Sequence, residues 1–506
     1  MNDLTKGKPL KLIFWFTVPL LIGNIFQQFY SLSDTLIVGQ TLGVKALAAV
    51  GSTGSVQFLI IGFAQGLTAG LSILTAQHFG ASDFKAVRRS FAISIVVSLI
   101  VGIILTVLSL IFVDHILLLM QTPTDIIADA RTFLQIMLGG MLAPIGFNLL
   151  SNIIRALGDS RTPLWFLIIS ALINIGLELL FILVFKWGIA GASWATILAQ
   201  AIATLMCVVY IMIKVPILHI GWHHFKLVWA EVRAHLNVGL PMAFQMSIIA
   251  IGTIVLQAAL NSLGTNSVAA TTAAQKIDQL ATQPLMSFGV TMATFAAQNY
   301  GAHKYERIIT GVKQTMWLSG SFSVVAGLIE IIWGKQLVGF FVGHQDVAVL
   351  NLSQTYFNVI GSTYLLLSML FIMRNTLQGL GRSAIPTLAG AAELFMRVFA
   401  ALILVRLLGY AGACSSEPLA WLGSCAVLLP AYIKSVRDLR LQERMTTVVA
   451  EEPTPILARL IIIKTCNKLD SLIIFVINFI LKTYKMIERK TGISKRTQQR
   501  RFKLIS

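Results

Sequence analysis

Ala76-Gln77-His78-Phe79-Gly80-Ala81 returns 221 residues later as Ala297-Gln298-Asn299-Tyr300-Gly301-Ala302, and this recurrence decides the fold. Leu42-Gly43 with Ala48-Ala49 recurs as Leu263-Gly264 with Ala269-Ala270 at the same offset. Leu157-Gly158, Ser160 and Pro163 recur at an offset of 223 as Leu380-Gly381, Ser383 and Pro386, and Pro19 pairs with Pro241 at 222. Four landmarks in one order at one spacing mark a duplicated chain.

The duplicated unit is a membrane architecture. Of the 506 residues, 56% are hydrophobic and 12% charged, a balance foreign to water-soluble globular chains. Apolar runs long enough to cross a bilayer predict twelve helices, at about 12–40, 46–77, 89–113, 126–151, 162–185, 187–213, 235–261, 266–298, 308–333, 347–373, 384–408 and 411–433. Alternating strand patterns are missing, which argues against a barrel. Each copy holds six spans, an even number, so the copies are parallel repeats about an axis along the membrane normal. The expected fold is an all-α polytopic membrane protein. Its lobes are 1–213 and 234–440, joined by a cytoplasmic linker at 214–233 and followed by a basic tail at 441–506.

Basic residues set the orientation. Loops assigned to the cytoplasm carry sixteen, from Lys6, Lys8 and Lys11 through Arg88, Arg155 and Lys214 to Arg374 and Arg382. The opposite side has four: Lys45, Arg131, Lys186 and Lys335. This positive-inside bias puts the amino terminus and the end of the core in the cytoplasm, with the plasma membrane as location. The net charge of +18 then reads as topology plus a basic tail, with no need of nucleic acid. Four scattered cysteines show neither disulfide nor zinc spacing. The first apolar stretch is too long for a signal peptide and lacks a small-residue cleavage site, so it reads as the first helix. His219, His223 and His224 in the linker read as part of a solvated loop rather than a metal site.

Two lobes around a cleft are the architecture of alternating access, and no Walker-type motif is present to drive it with ATP. An ion gradient remains as the energy source, and it requires a titratable or ion-binding site inside the membrane. Asp34 is the only charged residue between Leu12 and Thr41. An ionised carboxylate in hydrocarbon costs about 3 kcal/mol on insertion scales, and burial disfavours its charged form, so a proton or cation can come and go there. A hydrogen-bonded acid that merely pins helices is the alternative.

Depth favours a site. Asn174 and Glu178, spaced i, i+4 on the fifth helix, share a face. With a rise of about 1.5 Å per residue, Glu178 lies about 8 Å below the outer surface of a core about 30 Å thick, and Asn174 about 14 Å below it. Thr196 on the sixth helix comes to about 12 Å, and Asp34 to about 9 Å. Two carboxylates, an amide and a hydroxyl suit Na⁺, and the acids could instead share a proton. Gln27 and Tyr30 fall on the Asp34 face and are expected to line the cavity, with Asn148, Met242, Met246 and Met286 as further lining that suits varied cargo. The second lobe offers Lys276, Asp278 and a Glu393/Arg397 pair at i, i+4, read as neutralising itself.

Several stretches together resemble the multidrug and toxic-compound extrusion family. They are Pro19 with Asp34-Thr35 and Val38-Gly39, Arg155 to Pro163, Asn174 with Glu178, and Gly188 to Thr196. The resemblance spans about residues 5–440 and implies a cation-coupled antiporter, not an enzyme. It would export drug-like, often cationic and amphipathic molecules in exchange for H⁺ or Na⁺, as a monomer among membrane lipids and without a cofactor. It implies Asp34, Asn174, Glu178 and Thr196 as coupling residues, with Gln27 and Tyr30 nearby. Glu178 departs from the Asp common in that branch, which leaves the ion preference open. A lipid-linked oligosaccharide flippase of the same superfamily is the alternative, disfavoured by the acidic first lobe. The tail from Met445 carries twelve Lys/Arg against four Asp/Glu, and its apolar Ser471–Leu481 stretch is short for a span. It reads as a membrane-surface helix on anionic lipid. Thr491-Gly492-Ile493-Ser494-Lys495-Arg496-Thr497 resembles a helix-turn-helix fragment with no domain around it.

Overall fold

Hydrocarbon offers the backbone no hydrogen-bond partner, so a chain this apolar must satisfy its peptide groups within each segment. The computed structural model, which describes residues 3–120, 122–225, 228–342 and 346–451, meets that demand with helices alone among the described residues. Twelve follow in order. The first six are α1 (Pro9–Leu42), α2 (Val44–Gly80), α3 (Phe84–Leu119), α4 (Ile127–Gly139 bent into Leu142–Ala156), α5 (Arg161–Leu179 running into a π-helical turn, Leu180–Val184) and α6 (Ile189–Lys214). The second six are α7 (Trp229–Asn261), α8 (Thr265–Gly301), α9 (Tyr305–Val342), α10 (Val347–Gly361 bent into Tyr364–Gly379), α11 (Ala384–Phe399, a π-helical turn Ala400–Leu404, then Val405–Leu408) and α12 (Tyr410–Cys414 and Ser416–Glu451). The predicted spans fall on these helices one for one. The Ser471–Leu481 segment lies outside the described residues, as does Thr491–Thr497.

Among the described residues nine helices are long and apolar enough to cross a membrane unaided, and the two bent pairs bring the number to eleven. The twelfth is α8, where Thr, Ser, Gln and Asn interrupt the apolar run. Their side chains are shielded by neighbours: Thr291, Gln298 and Asn299 are fully buried. Polar side chains hydrogen-bonded between helices are how a membrane bundle tolerates such a span. Thr17 and Thr291 share a 2.8 Å bond between α1 and α8, and Asn24 donates to Ser287 at 3.1 Å.

The duplication is visible in the backbone. α4 bends by 45° and α10 by 49° at equivalent places, and the π-helical turns sit in equivalent helices. The turn residues Ser82 and His303 share a left-handed φ of 58° and 56°, as Gly188 and Gly409 do at 59° and 58°.

At the end carrying the basic loops, the two copies of the opening motif lock together. The Gln77 amide donates to the Gly379 carbonyl at 2.9 Å, and the Gln298 amide donates to the Ala156 carbonyl at 2.7 Å. Each copy thus reaches the loop preceding the Leu-Gly landmark of the other copy. A Cβ on Gly80 would stand 1.9 Å from the Gln298 carbonyl oxygen, and one on Gly301 1.8 Å from that of Gln77, so only glycine permits the crossing. Leu4 is buried over the same crossing. Its amide donates to Gln298 Oε1 at 3.0 Å, and Asn299 and Arg307 donate to its carbonyl. Toward the other end of α2 the positions of Gly43, Gly51 and Gly54 face open space. α2 therefore meets the second copy at backbone contact near the basic loops, while these three positions touch nothing.

Two expectations from the sequence are corrected here. Arg374, counted as a loop residue, lies in the second segment of α10 and is 7% exposed. Glu393 and Arg397 do not neutralise each other: Glu393 pairs with Arg374, and Arg397 pairs with Glu417 of α12 at 2.8 Å. Helical spacing permits the local pair, but partners on neighbouring helices present their charges more directly. Removing one member of a buried pair strands the other charge, at a cost of about 3–5 kcal/mol. Arg374→Met should lower the thermal unfolding midpoint of the detergent-purified protein, and adding Glu393→Leu should restore most of it.

Candidate functional site

The site forms where α1, α5 and α6 meet. α5 starts with Pro163 in its first turn, which fixes φ where no intrahelical N–H is needed. Eleven residues on, Asn174 points inward, and Glu178 follows one turn later on the same face; both are fully buried. Val38 of α1, Ile182 of α5, and Ile189 and Ala192 of α6 belong to one apolar cluster that holds the three helices in register at this depth. The π-helical turn begins two residues past Glu178. The equivalent turn in α11 has Val398, not an acid, two residues ahead of it, so the turn belongs to the duplicated scaffold.

The four coupling candidates converge. The carboxyl of Asp34 reaches that of Glu178 across the α1–α5 interface. Asn174 Nδ2 donates to Thr196 Oγ1 at 3.3 Å, and the Thr196 hydroxyl donates to the Ala192 carbonyl at 3.2 Å. Tyr30 lies close by, facing Thr196 and both acids. Asp34 itself is half-buried, unlike the fully buried Glu178.

Acceptors outnumber donors here. Both carboxyl oxygens of Glu178 and the Asn174 side-chain oxygen are buried, and no donor reaches any of the three. A buried acceptor left without a partner costs about 1–3 kcal/mol, more when charged. The group that approaches Glu178 is a second acid, which brings no hydrogen unless protonated. A proton between the carboxyls or a small cation among the oxygens would each meet the deficit.

The cavity candidates divide. Gln27 is exposed on α1, one turn before Tyr30. Asn148 is half-buried and spends its amide on the Pro144 carbonyl of its own helix at 2.8 Å. Met242 is buried where α2 crosses α7, with its carbonyl oxygen 2.4 Å from a Cβ on Gly66, so it packs the crossing instead of lining a cavity. Met246 lies one turn on, its Cβ 3.8 Å from a Cβ on Gly62, and Met286 is exposed.

The second lobe holds more than the sequence suggested. Tyr364 of α10 donates to Glu330 of α9 and lies against Asp278 of α8. Only Asp278 drew notice in the sequence. Glu330 stands alone in an apolar run, and a depth comparison with Asp278 was the one signal that could have exposed it.

Comparison with known proteins agrees with this architecture. The family model described as MatE matches twice, at residues 19–180 and 241–403, once per copy. The probable multidrug resistance protein YpnP of Bacillus subtilis is 30% identical over 379 residues, covering 75% of this chain and 84% of that protein. The multidrug export protein MepA of Staphylococcus aureus is 23% identical over 392 residues, covering 76% and 86%. A solved structure of a multidrug resistance MATE family transporter of the MOP superfamily, in its outward-facing conformation, superposes with a TM-score of 0.80. It shares 22% identity, with 86% of this chain and 98% of that one covered. By fold, by repeat and by sequence, this chain belongs to the MatE family of multidrug efflux transporters.

Proposed function

We propose that the protein is a secondary antiporter that exports drug-like, often cationic molecules across the plasma membrane in exchange for H⁺ or Na⁺. Asp34, Asn174, Glu178 and Thr196 hold the coupling ion. The observation that carries this reading is the trio of buried, donorless oxygens on Asn174 and Glu178 beside a second acid. Such a cluster is electrically incomplete without a positive charge, and a cationic cargo and a coupling ion are alternative ways to complete it. Mutual exclusion at one acidic site is what exchange requires, because two ligands that oppose each other's binding travel in opposite directions. The YpnP and MepA relatives, described as multidrug resistance and export proteins, support a drug-like cargo.

The positive-inside pattern supports a cytoplasmic location for the locked end, which makes this the conformation closed on that side. Binding of the coupling ion from outside neutralises the acid pair, releases cargo, and lets the lobes rock toward the inward-open form. Everted vesicles given a fluorescent lipophilic cation on the outside, which is their cytoplasmic face, test this. A pH or Na⁺ gradient of equal driving force, imposed separately, should drive accumulation in at least one case and collapse with the matching ionophore. Uptake that is equal with and without either gradient would refute ion coupling.

A further inference from the structure

The first lobe carries an arginine that its coupling site leaves unused. Asn148, Ser151, Asn152 and Arg155 follow one another at i, i+3, i+4 and i+7 along the second segment of α4, so they share one face. This polar stripe ends at Arg155, the penultimate residue of the helix. Arg155 is half-buried, and its Nε is buried without a partner, as is the hydroxyl of Ser151 one turn earlier. Among the described residues the guanidinium makes one hydrogen bond, a long one of 3.4 Å from Nη1 to the Asn152 side-chain oxygen. Asn152 in turn donates to Thr68 of α2 at 3.3 Å.

No acid answers this charge among the described residues. Asp159, four residues on, accepts from the Arg161 and Thr162 amides and from the hydroxyls of Thr162 and Tyr210. The side chain facing both Arg155 and Ser151 is Cys207 of α6, and a thiol is a weak donor and a weak acceptor rather than a counter-ion. The second copy meets the same demand differently. At the offset of 223, Ser151, Asn152 and Arg155 correspond to Arg374, Asn375 and Gln378. Arg374 pairs with Glu393, and Gln378 donates to Gln245 of α7 at 2.9 Å. The first-lobe counterpart of Glu393 is Ser170, whose hydroxyl donates to the Ala199 carbonyl at 2.9 Å. Each lobe thus has an arginine on this segment, one turn apart in register, and only the second lobe builds in a carboxylate for it.

A cation inside a bundle needs a counter-charge, and where the chain supplies none an ion from solution can. We propose that Arg155 and Ser151 bind one compact monovalent anion of the halide class, chloride under ordinary conditions, which does for the first lobe what Glu393 does for the second. The guanidinium supplies the charge and its Nε–H, and Ser151 supplies an O–H, a donor set that suits an anion with no hydrogen of its own. Both donor atoms are buried, which favours a bare halide over a bulky organic anion. The bound anion ties down the end of α4, where Ala156 gives its carbonyl to Gln298 at 2.7 Å, so occupancy registers in stability. The site stands whichever ion Asp34 and Glu178 carry.

The test uses the full chain in lipid nanodiscs, moved into sodium gluconate and titrated with sodium chloride or bromide at constant ionic strength. The unfolding midpoint of the wild type should rise and saturate with either halide. Arg155→Gln, which installs the residue of the second copy, should abolish the response, and Ser151→Ala should raise the half-saturating concentration several-fold. A wild-type midpoint that is equal in chloride and gluconate overturns the proposal, as does a chloride response retained by Arg155→Gln. So does a Ser151→Ala titration that matches the wild type, or a response to formate that chloride lacks, which would assign a carboxylate instead. If Arg155→Gln does not fold, anomalous scattering from bromide-grown crystals of the wild type decides. A peak beside Arg155 and Ser151 upholds the site, and peaks confined to exposed lysines, an adventitious ion only, refute it.

Discussion

Asp34→Asn and Glu178→Gln chains reach the membrane in wild-type amounts and export drug at close to the vector background. Each substitution supplies an amide N–H to the remaining acid, so the donor deficit at Asn174 and Glu178 is relieved without a cation. Insertion becomes easier, since one intramembrane carboxylate is gone. What is lost is the reason for a positive charge to enter. A coupling free energy between sites of about 1–3 kcal/mol corresponds to about a 5–150-fold change in affinity, and the minimum inhibitory concentration should fall within that range. Thr196→Val is a milder lesion. It removes the hydroxyl that receives the Asn174 amide at 3.3 Å but keeps both acids, so a loss of about tenfold or less is expected, on the scale of one neutral hydrogen bond of about 1 kcal/mol. Vesicle efflux and resistance should place both acid variants below Thr196→Val. Full ion-driven export by Asp34→Asn would end the first-lobe mechanism.

A second large effect is expected at the glycine crossing. In Gly301→Val a side chain must enter where even a Cβ stands 1.8 Å from the Gln77 carbonyl oxygen, and Gly80→Val repeats the collision against Gln298. The obstacle is backbone on both sides, so α2 and α8 must separate rather than repack. Overpacking of this kind costs about 1–3 kcal/mol or more, all of it charged to the conformation closed at the basic end. Losing one hydrogen bond in Gln77→Ala or Gln298→Ala costs about 1 kcal/mol and shifts the balance only several-fold. A cysteine at Ala297, buried in the wild type, reports the difference in a background stripped of the native cysteines. It should resist a maleimide added from the cytoplasmic side in the parent, label partly in the glutamine variants, and label fully with export abolished in Gly301→Val. An unlabelled, transport-competent Gly301→Val protein would show that the crossing does not gate that end.

Much of this was legible in the sequence because membranes make physics one-dimensional. Apolar length gave the spans, and counting residues along them gave depth, which brought Asp34, Asn174, Glu178 and Thr196 to one level before any coordinates. Glu330 is a single carboxylate that motif reading does not reveal, and Tyr364 gives no sequence signal because its partners lie on other helices. Arg374 reads as a loop residue because helix ends are the least certain boundaries in an apolar chain; the helix runs six residues past the predicted span, to Gly379, and carries Arg374 into the bundle. The Glu393/Arg397 spacing was right for a local pair. Inter-helix neighbours won because two cations and two anions in a low-dielectric core arrange themselves across the interface. The π-helical turns have no signal in sequence, since a one-residue widening of a helix leaves its composition unchanged.

The strap formed by Leu4 to Gly7 has a practical consequence. Asn299 and Arg307 hold the Leu4 carbonyl, Lys304 holds that of Thr5 at 2.8 Å, and Arg307 also holds that of Gly7 at 2.8 Å. An affinity handle fused directly ahead of these residues would tug on that anchorage, and a preparation carrying it would sample different shapes from one tagged elsewhere. Antibody or fluorophore attachment there could trap the transporter or free it, which makes the first few residues a lever for sorting its states in the laboratory.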